Sequence, residues 1–426
     1  MVTVVVGAQW GDEGKGKIVD YLSLNADYVV RFHGGAGAGH TIVNKHGTFK
    51  LHQIPCGIFH KNTVCVIANG VVVDPKGLLE EIKELKNAGL NIKGRLLLSP
   101  RSQVVFDYHK TLDGIFDEAK GDLKTATTRR GNGPVHADKV SYQGIKLYDL
   151  IDKKMLDTKL RSAIFIKNKV IKAFGGVEFD HGKTLSEYRS LGKKLKPYFA
   201  NTFDILNNAI DKGKNILFEG AHGIFLDVDW GTYPYVTASS ILPSNIGAGA
   251  GVNPKKIDEI VGVVRVYLTR VDTGACPMPT EIKGKTADSL RKKAHEYGST
   301  TGRPRRIGWN DLVQVKFAAR LCGFTSLAIT KPDILSEFEK ILVCIGYKYR
   351  GKVVDYLDVD TEKLRQVKPI YKEFEGWEEN LSEITEYRKL PKNCRAYIEF
   401  IEKYAHTPVK YVSVGPRLEQ TIIKSQ

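Results

Sequence analysis

Apolar, β-branched runs recur along the chain: "VTVVVG" at the start, then "DYVVRF", "TVCVIANGVVV", "NILFEG", "IVGVVRVYLTRV", "SLAIT" and "KILVCIGY". Most are continuous rather than strictly alternating, the pattern of strands buried on both faces. Between several of them apolar residues return every three or four positions, as amphipathic helices require. In "DPKGLLEEIKELKNAGL", Asp74 can cap, Pro75 suits the first turn, Leu78, Leu79, Ile82 and Leu85 share one face, and Gly89 stops the helix. "NDLVQVKFAARLCG" runs likewise from a cap at Asn310 or Asp311 to Gly323. The alternation predicts an α/β fold built on a mainly parallel sheet covered on both faces. The stretch from about 153 to 214 is helical and polar and reads as an insertion packed on the sheet; the block from about 347 to 390 reads as peripheral. With no internal repeat and no low-complexity linker, residues 1–426 are taken as one continuous domain.

Composition narrows the class. Hydrophobic residues make up 42% and charged residues 26% of the 426, ordinary for a globular protein. No apolar run approaches the length of a membrane span, and "MVTVVVG" lacks a basic leader, so it reads as a first strand. The six cysteines form no C-x-x-C pair, which argues against a zinc or disulfide framework and fits a reducing cytosol. The formal charge of +16 attracts anions, but the basic residues are spread along solvated helix faces, so a nucleic-acid track is the weaker reading.

The first loop, "GAQWGDEGKGKIVDYL", is close to a phosphate cradle between a strand and a helix. Read from Gly11 to Ile18 against G-x-x-x-x-G-K-[ST], it fails only at the last position, where Ile18 replaces the metal-binding hydroxyl. Backbone N–H groups, the helix N-terminus, Lys15 and Lys17 favour phosphates there. Asp12 and Glu13 oppose them. A carboxylate in that place is tolerable if it holds magnesium against the phosphates or removes a proton from a substrate, and Asp12 is the candidate for both.

Four further stretches carry chemistry. "RFHGGAGAGHTIV" puts four glycines before His40, which can donate to a phosphoryl oxygen. "TATTRRGNGP" sets Thr127, Thr128, Arg129 and Arg130 beside two glycines, as an anion site or a solvated basic turn. "GSTTGRPRRIGW" offers the hydroxyls of Thr300 and Thr301 and the forks of Arg303 and Arg305 to a small dianion. In "AITKPD", directly after a strand, Asp333 can accept from the adjacent N–H donors of guanine while Lys331 covers the ring; adenine lacks that donor pair, which points to GTP.

Taken together and in order, "QWGDEGKGKIVD", "GAGHT", "NGVVVDP", "EGAHGIFLDVDWGTYPYVT", "STTGRPRRIGW", "TKPDIL" and "SVGPRLEQTI" resemble the adenylosuccinate synthetase family over essentially the whole chain. The resemblance implies a doubly wound, mostly parallel sheet and a cytosolic homodimeric ligase of purine biosynthesis. It implies that GTP, L-aspartate and IMP become adenylosuccinate, GDP and phosphate, with Mg2+ as cofactor. It implies that Asp12 takes the proton from the purine N1 and His40 assists the transfer of the γ-phosphoryl to the 6-oxygen, with Asp12 and the backbone of Gly39 holding the metal. By the same resemblance GTP meets Gly11, Glu13, Gly14, Lys15, Gly16, Lys17, Gly39, Thr41, Arg305, Lys331, Pro332, Asp333, Ser413, Val414 and Gly415. Aspartate meets Ser299, Thr300, Thr301, Gly302, Arg303 and Arg305. The acceptor meets Asp12, Lys15, Gly37, Ala38, Thr128, Tyr142, His222, Thr237 and Arg303.

Four departures from the family pattern fall on the IMP side. The family's phosphate-contacting asparagine is Gly37, its cross-dimer arginine is Tyr142, its purine-side glutamine is His222, and the stretch "TRVDTGACPMPTE" is two residues longer. An arginine–phosphate contact and an amide donor are thus missing, and Arg129, Arg130 and His136 are the candidates to replace them. Two enzyme readings follow: a divergent synthetase acting on IMP, and a paralogue running the same chemistry on a modified purine or on one without a 5′-phosphate. A non-catalytic nucleotide- or nucleic-acid-binding protein is the reading from another class; Asp12 and His40 count against it.

Overall fold

The computed structural model describes the chain except residues 45–46, 126, 273, 298–301, 357–359 and 425–426, and gives the backbone alone for 40, 41, 43 and 44. A nine-stranded sheet runs through it in the order Thr421–Ile423, Val409–Ser413, Ser326–Thr330, Glu259–Arg265, Val2–Gly7, Ile216–Gly223, Tyr28–Arg31, Val64–Ile67, Leu96–Leu98. Neighbours are parallel throughout except at the edge, where Thr421–Ile423 is antiparallel to Val409–Ser413.

Alternate residues of these strands enter two separate cores. Val4, Val6, Val30, Phe218 and Ile329 face one, with Leu206, Leu312, Val315 and Ile398 from helices. Val5, Val29, Ile67, Leu217 and Ala328 face the other, with Ile18, Leu78, Ile82, Leu85 and Leu156. Both faces of the sheet are therefore covered, which is why its strands read as continuous apolar runs.

The predicted helices form where their caps place them. Asp74 accepts from the Lys76 N–H at 3.2 Å and opens Pro75–Asn87. Of the two candidates at the other helix, Asp311 is the cap, accepting from Val313 N at 3.1 Å, and Gly323 ends Leu312–Cys322 at φ 66°. Over 153–214 three helices, Lys153–Ala173, His181–Leu195 and Thr202–Asp211, follow one another; the first two pack on the second core and the third on the first. The 347–390 stretch supplies Lys352–Val354 and Lys368–Glu375 to a six-stranded second sheet and buries Trp377, Leu381 and Leu390 in the first core.

One apolar run behaves differently from its appearance. "IVGVVRVYLTRV" is two strands: Glu259–Arg265 belongs to the large sheet, and Tyr267–Arg270 pairs antiparallel with Arg306–Asp311 in the second sheet. Val266 lies between them, fully buried, its N–H donating to Thr330 O at 3.2 Å. The central strand Val2–Gly7 lies between Ile216–Gly223 and Glu259–Arg265, so crossovers leave in both directions and open a crevice at its carboxyl end.

Candidate functional site

The loop after Val2–Gly7 separates its two carboxylates. Gly11 (φ 94°), Asp12 (φ 60°) and Gly14 (φ 95°) adopt left-handed conformations, which aspartate tolerates better than most side chains. The turn sends Glu13 inward, where it is completely buried. Its Oε1 accepts from Gln9 N at 3.1 Å and Gly11 N at 2.8 Å, and its Oε2 from Lys15 Nζ at 2.5 Å. The strand ends leave no room for anything larger than glycine around that carboxylate. A Cβ on Gly7 would stand 2.2 Å from Glu13 Oε2, and one on Gly223 would stand 2.2 Å from Gln9 O. The Glu13 side chain is thus occupied in holding the loop shut, and only its backbone is left for a phosphate. Asp12 points the other way, 40% exposed, with its Oδ2 3.0 Å from Arg305 Nε.

The sheet brings several of the residues expected to meet GTP to this crevice. Thr330 Oγ1 donates to Glu13 O at 2.5 Å, which ties the "TKPD" turn to the first loop. Lys331 N donates to Ser413 O at 3.1 Å, and Lys17 Nζ donates to Ser413 Oγ at 2.6 Å, Gly415 O at 2.5 Å and Gln420 O at 2.9 Å. Burial lowers Lys17 to about 8, against the attraction of Asp333 and Glu419. Asp333 Oδ1 is shielded from solvent with no hydrogen-bond partner among the described residues, and burial raises that carboxyl. An unsatisfied buried acceptor at the rim of a nucleotide crevice is costly unless a ligand supplies donors.

A residue outside the motifs binds these parts together. Glu296 is fully buried and accepts from four donors: Arg265 Nη1 at 2.9 Å, Tyr267 Oη at 2.6 Å, Lys331 Nζ at 2.6 Å and Arg305 Nη1 at 2.5 Å. Burial alone would raise its carboxyl, but Arg265, Lys331 and Arg305 hold it well below the usual range. Burial and Arg265 in turn bring Lys331 down to about 8. Arg305 therefore links Glu296 to Asp12. The sequence signal for this hub was faint: a lone arginine inside an apolar strand, Arg265, which a buried position permits only with a partner.

On the acceptor side, His222 (φ 61°) lies at the end of Ile216–Gly223. Burial, then Lys15 and Arg31, lower its imidazole to about 4, opposed by Asp12, so it is neutral near pH 7. The longer 272–279 stretch is anchored by Asp272, which accepts from Arg270 Nε at 2.6 Å and lies 3.1 Å from Arg306 Nη1. Thr128 stands beside Gly37: a Cβ there would be 3.2 Å from Thr128 Oγ1. The backbones of Ala38 and Gly39 continue from that point towards His40–Asn44.

Some expected residues are not brought together. Tyr142 is 96% exposed just beyond the Asn132–Val140 helix, where within one chain it can meet the acceptor only from outside. Arg129 is solvent-exposed and ion-paired with Glu118 at 2.9 Å, and burial lowers His136 to about 4, so neither supplies a ready charge for a phosphate. Ser299, Thr300 and Thr301 lie outside the described residues, as do the side chains of His40 and Thr41.

Fold and crevice together define the class: a doubly wound α/β protein whose loop after the central strand buries one carboxylate and presents the other to the crevice. Residues 4–422 match the adenylosuccinate synthetase family. The adenylosuccinate synthetase of Clostridium novyi is 46% identical over 421 residues, covering 99% of this chain and 98% of its own, and that of Caldanaerobacter subterraneus is 46% identical over 424 residues, covering 99% of each. The fully ligated adenylosuccinate synthetase of Plasmodium falciparum superposes with a TM-score of 0.93 at 37% identity over the whole of both chains. The succinoaminodeoxyadenylate synthetase of cyanophage S-2L, solved with dGMP and dATP, shares the fold with a TM-score of 0.61 at 21% identity, over 100% of this chain and 95% of its own. The chain belongs to the adenylosuccinate synthetase family, C–N ligases that join IMP and aspartate at the expense of GTP in AMP synthesis.

Glu296→Gln tests the hub. Removing one charge leaves Arg265, Lys331 and Arg305 mutually repelling, so unfolding in denaturant should show a loss of about 3–5 kcal/mol. Because a held-down carboxyl stabilises only while it is ionised, the difference from wild type should be full above the ordinary glutamate value of 4.5 and shrink as pH falls below it. Lys17 generates a second expectation. Its folded value near 8, below the ordinary 10.5, means that it loses its proton as pH rises through 8, so nucleotide affinity measured by titration should fall there. In Lys17→Arg that fall should be absent.

Proposed function

We propose that this chain joins L-aspartate to the 6-position of IMP through a 6-phosphoryl intermediate, with Asp12 as the base that starts the reaction. The observation that carries the reading is the separation of the two loop carboxylates: Glu13 is consumed inside the turn, and Asp12 is presented at the crevice beside Lys15 and His222. The 6-oxygen of a 6-oxopurine is a poor leaving group for an amine. Asp12 takes the N1 proton, and the electrons released make the 6-oxygen nucleophilic. That oxygen bonds to the γ-phosphorus of GTP as the bond to the bridging oxygen breaks and GDP leaves. The amine of aspartate then attacks C6, phosphate departs, and the amine gives up a proton.

Around that sequence the described residues have clear tasks. The backbone of Gly14 to Lys17 faces the phosphates, with the charge of Lys17 behind it while its three N–H donors hold the Ser413–Gln420 turn; Asp333 and Lys331 hold guanine, and Arg305 and Arg303 receive the carboxylates of aspartate. Arg305 Nε lies 3.0 Å from Asp12 Oδ2, so an amino-acid carboxylate drawn to the same guanidinium competes with that ion pair. His222 presents a neutral imidazole to the purine, a donor and acceptor in place of an amide. His40 is assigned to the phosphoryl in transit by resemblance.

Asp12 and the carbonyl of Gly39 would hold the magnesium, which neutralises phosphate charge when bound. The half-exposed Asp12 carboxylate fits such an ion, and no cluster of three His, Cys, Asp or Glu side chains occurs among the described residues. A magnesium with one or two protein oxygens, its other positions taken by phosphates and water, suits that sparse donor set. No helix among the described residues is long and apolar enough to cross a membrane. We place the enzyme in the cytosol as a homodimer of single-domain chains, with Tyr142 towards the partner.

Asp12→Asn should remove turnover while leaving GTP binding nearly intact, because asparagine accepts the same left-handed backbone but cannot take the ring proton. Loss of a positioned base costs about 10²–10⁴-fold. Near-normal formation of adenylosuccinate by the variant would overturn the assignment. Asp333→Asn should raise the KM for GTP and narrow its advantage over ITP, since the guanine donors lose an ionised acceptor. Equal use of ATP and GTP by the wild type would show that the "TKPD" turn does not read guanine.

A further inference from the structure

Gly37 removes the side chain that the family aims at the IMP phosphate, yet the space it would occupy is filled. A Cβ built on Gly37 would stand 2.7 Å from Asn132 Nδ2, 3.6 Å from Asn132 Cγ and 3.2 Å from Thr128 Oγ1. On the other side of the same turn, a Cβ on Gly35 would stand 2.8 Å from Asn132 Oδ1. The carboxamide of Asn132, the first residue of the Asn132–Val140 helix, therefore lies across the Gly35–Gly37 backbone. Gly37 has an ordinary backbone conformation, so its lack of a side chain answers to this crowding rather than to a left-handed turn.

The amide has no work inside the chain. Asn132 Oδ1 is shielded from solvent without a hydrogen-bond partner, and no bond is made by Nδ2 among the described residues. Nδ2, by contrast, is not shut off from solvent, so its N–H donors are open to an acceptor such as a phosphate oxygen, whereas the buried Oδ1 is itself an acceptor that a phosphate does not complete. Its neighbour Thr128 is the residue already placed on the acceptor by resemblance. Resting on the proposed acceptor site, we infer that Asn132 supplies the amide donor for the 5′-phosphate of IMP, reaching from the helix into the place that an asparagine at position 37 holds elsewhere in the family. The donor has moved from the loop to the helix that faces it, and Gly37 is the space it needs. Of the departures on the IMP side, this one is compensated, which favours a monophosphate acceptor over one lacking the 5′-phosphate.

The test compares IMP with inosine, which differ by that phosphate alone. Steady-state rates and equilibrium binding are measured for wild type, Asn132→Ala, Gly37→Asn and the double variant Gly37→Asn/Asn132→Ala. A hydrogen bond to a charged group contributes enough that Asn132→Ala should raise the KM and Kd for IMP about tenfold or more. The KM for GTP and any use of inosine should stay essentially unchanged, because neither loses a contact. Gly37→Asn alone should also weaken IMP, because its Cβ displaces the resident amide. The double variant should recover most of the affinity, which a merely structural role for Asn132 would not produce. Asn132→Ala with an unchanged preference for IMP over inosine, or a double variant no better than the singles, would overturn the assignment while leaving the synthetase reading intact. A wild type that neither binds IMP nor converts it would overturn that reading as well.

Discussion

A single carboxylate with no exposure to water, Glu296, sets the geometry on which the site depends. Its donors come from the end of one sheet, the start of another, the "TKPD" turn and the arginine of the amino-acid loop. An ion buried this deeply is costly in itself and is tolerated because its partners satisfy it from several directions. The arrangement also explains why the cations around it behave differently. Arg265 is committed, buried at 3% exposure, whereas Lys331 and Arg305 each keep one side towards the crevice. Lys331 and Arg305, the residues proposed to meet guanine and aspartate, are thus anchored on the same carboxylate, which fixes them relative to each other.

The phosphate loop applies the same economy on a smaller scale. Adjacent carboxylates at 12 and 13 would repel each other and the phosphates if both faced the crevice. The left-handed turn at Asp12 makes them diverge, and Glu13 takes up two backbone N–H groups and the charge of Lys15. The hydroxyl absent at Ile18 is no loss to packing, because Ile18 is fully buried in the core beneath the helix. What looks in the sequence like a damaged nucleotide loop is a loop with one carboxylate buried in a structural place and another left facing the crevice.

Much of this was legible before the structure, and the exceptions have physical reasons. Strands buried on both faces announce themselves as apolar runs, and Asp74 and Asp311 cap as their positions indicate. The break within "IVGVVRVYLTRV" was hidden because a strand leaving one sheet for another keeps the same apolar character on both sides of Val266. Glu296 belongs to no motif: its partners are distant in sequence, and a carboxylate in "KKAHEYG" reads as one more surface charge. Asn132 was passed over because an asparagine beside two arginines and two glycines reads as a turn, and only proximity to Gly37 gives it meaning. The first loop, the "TKPD" turn and the Ser413–Gly415 stretch converge because the sheet topology brings their strand ends together. Resemblance said less about which side chains are already taken, and Glu13 is the clearest case.

The switch of sheets at Val266 bears on how such a chain can change. Arg265 and Tyr267 flank it and both reach Glu296, so the two layers are keyed to each other through three consecutive residues. Adding or deleting one residue there would turn one of the pair away from the carboxylate, whereas a lengthened loop such as 272–279 leaves the key untouched. Changes in length should accordingly be excluded from this point and tolerated in loops such as 272–279. The chain's tolerance to insertion is set there by register rather than by the site it serves.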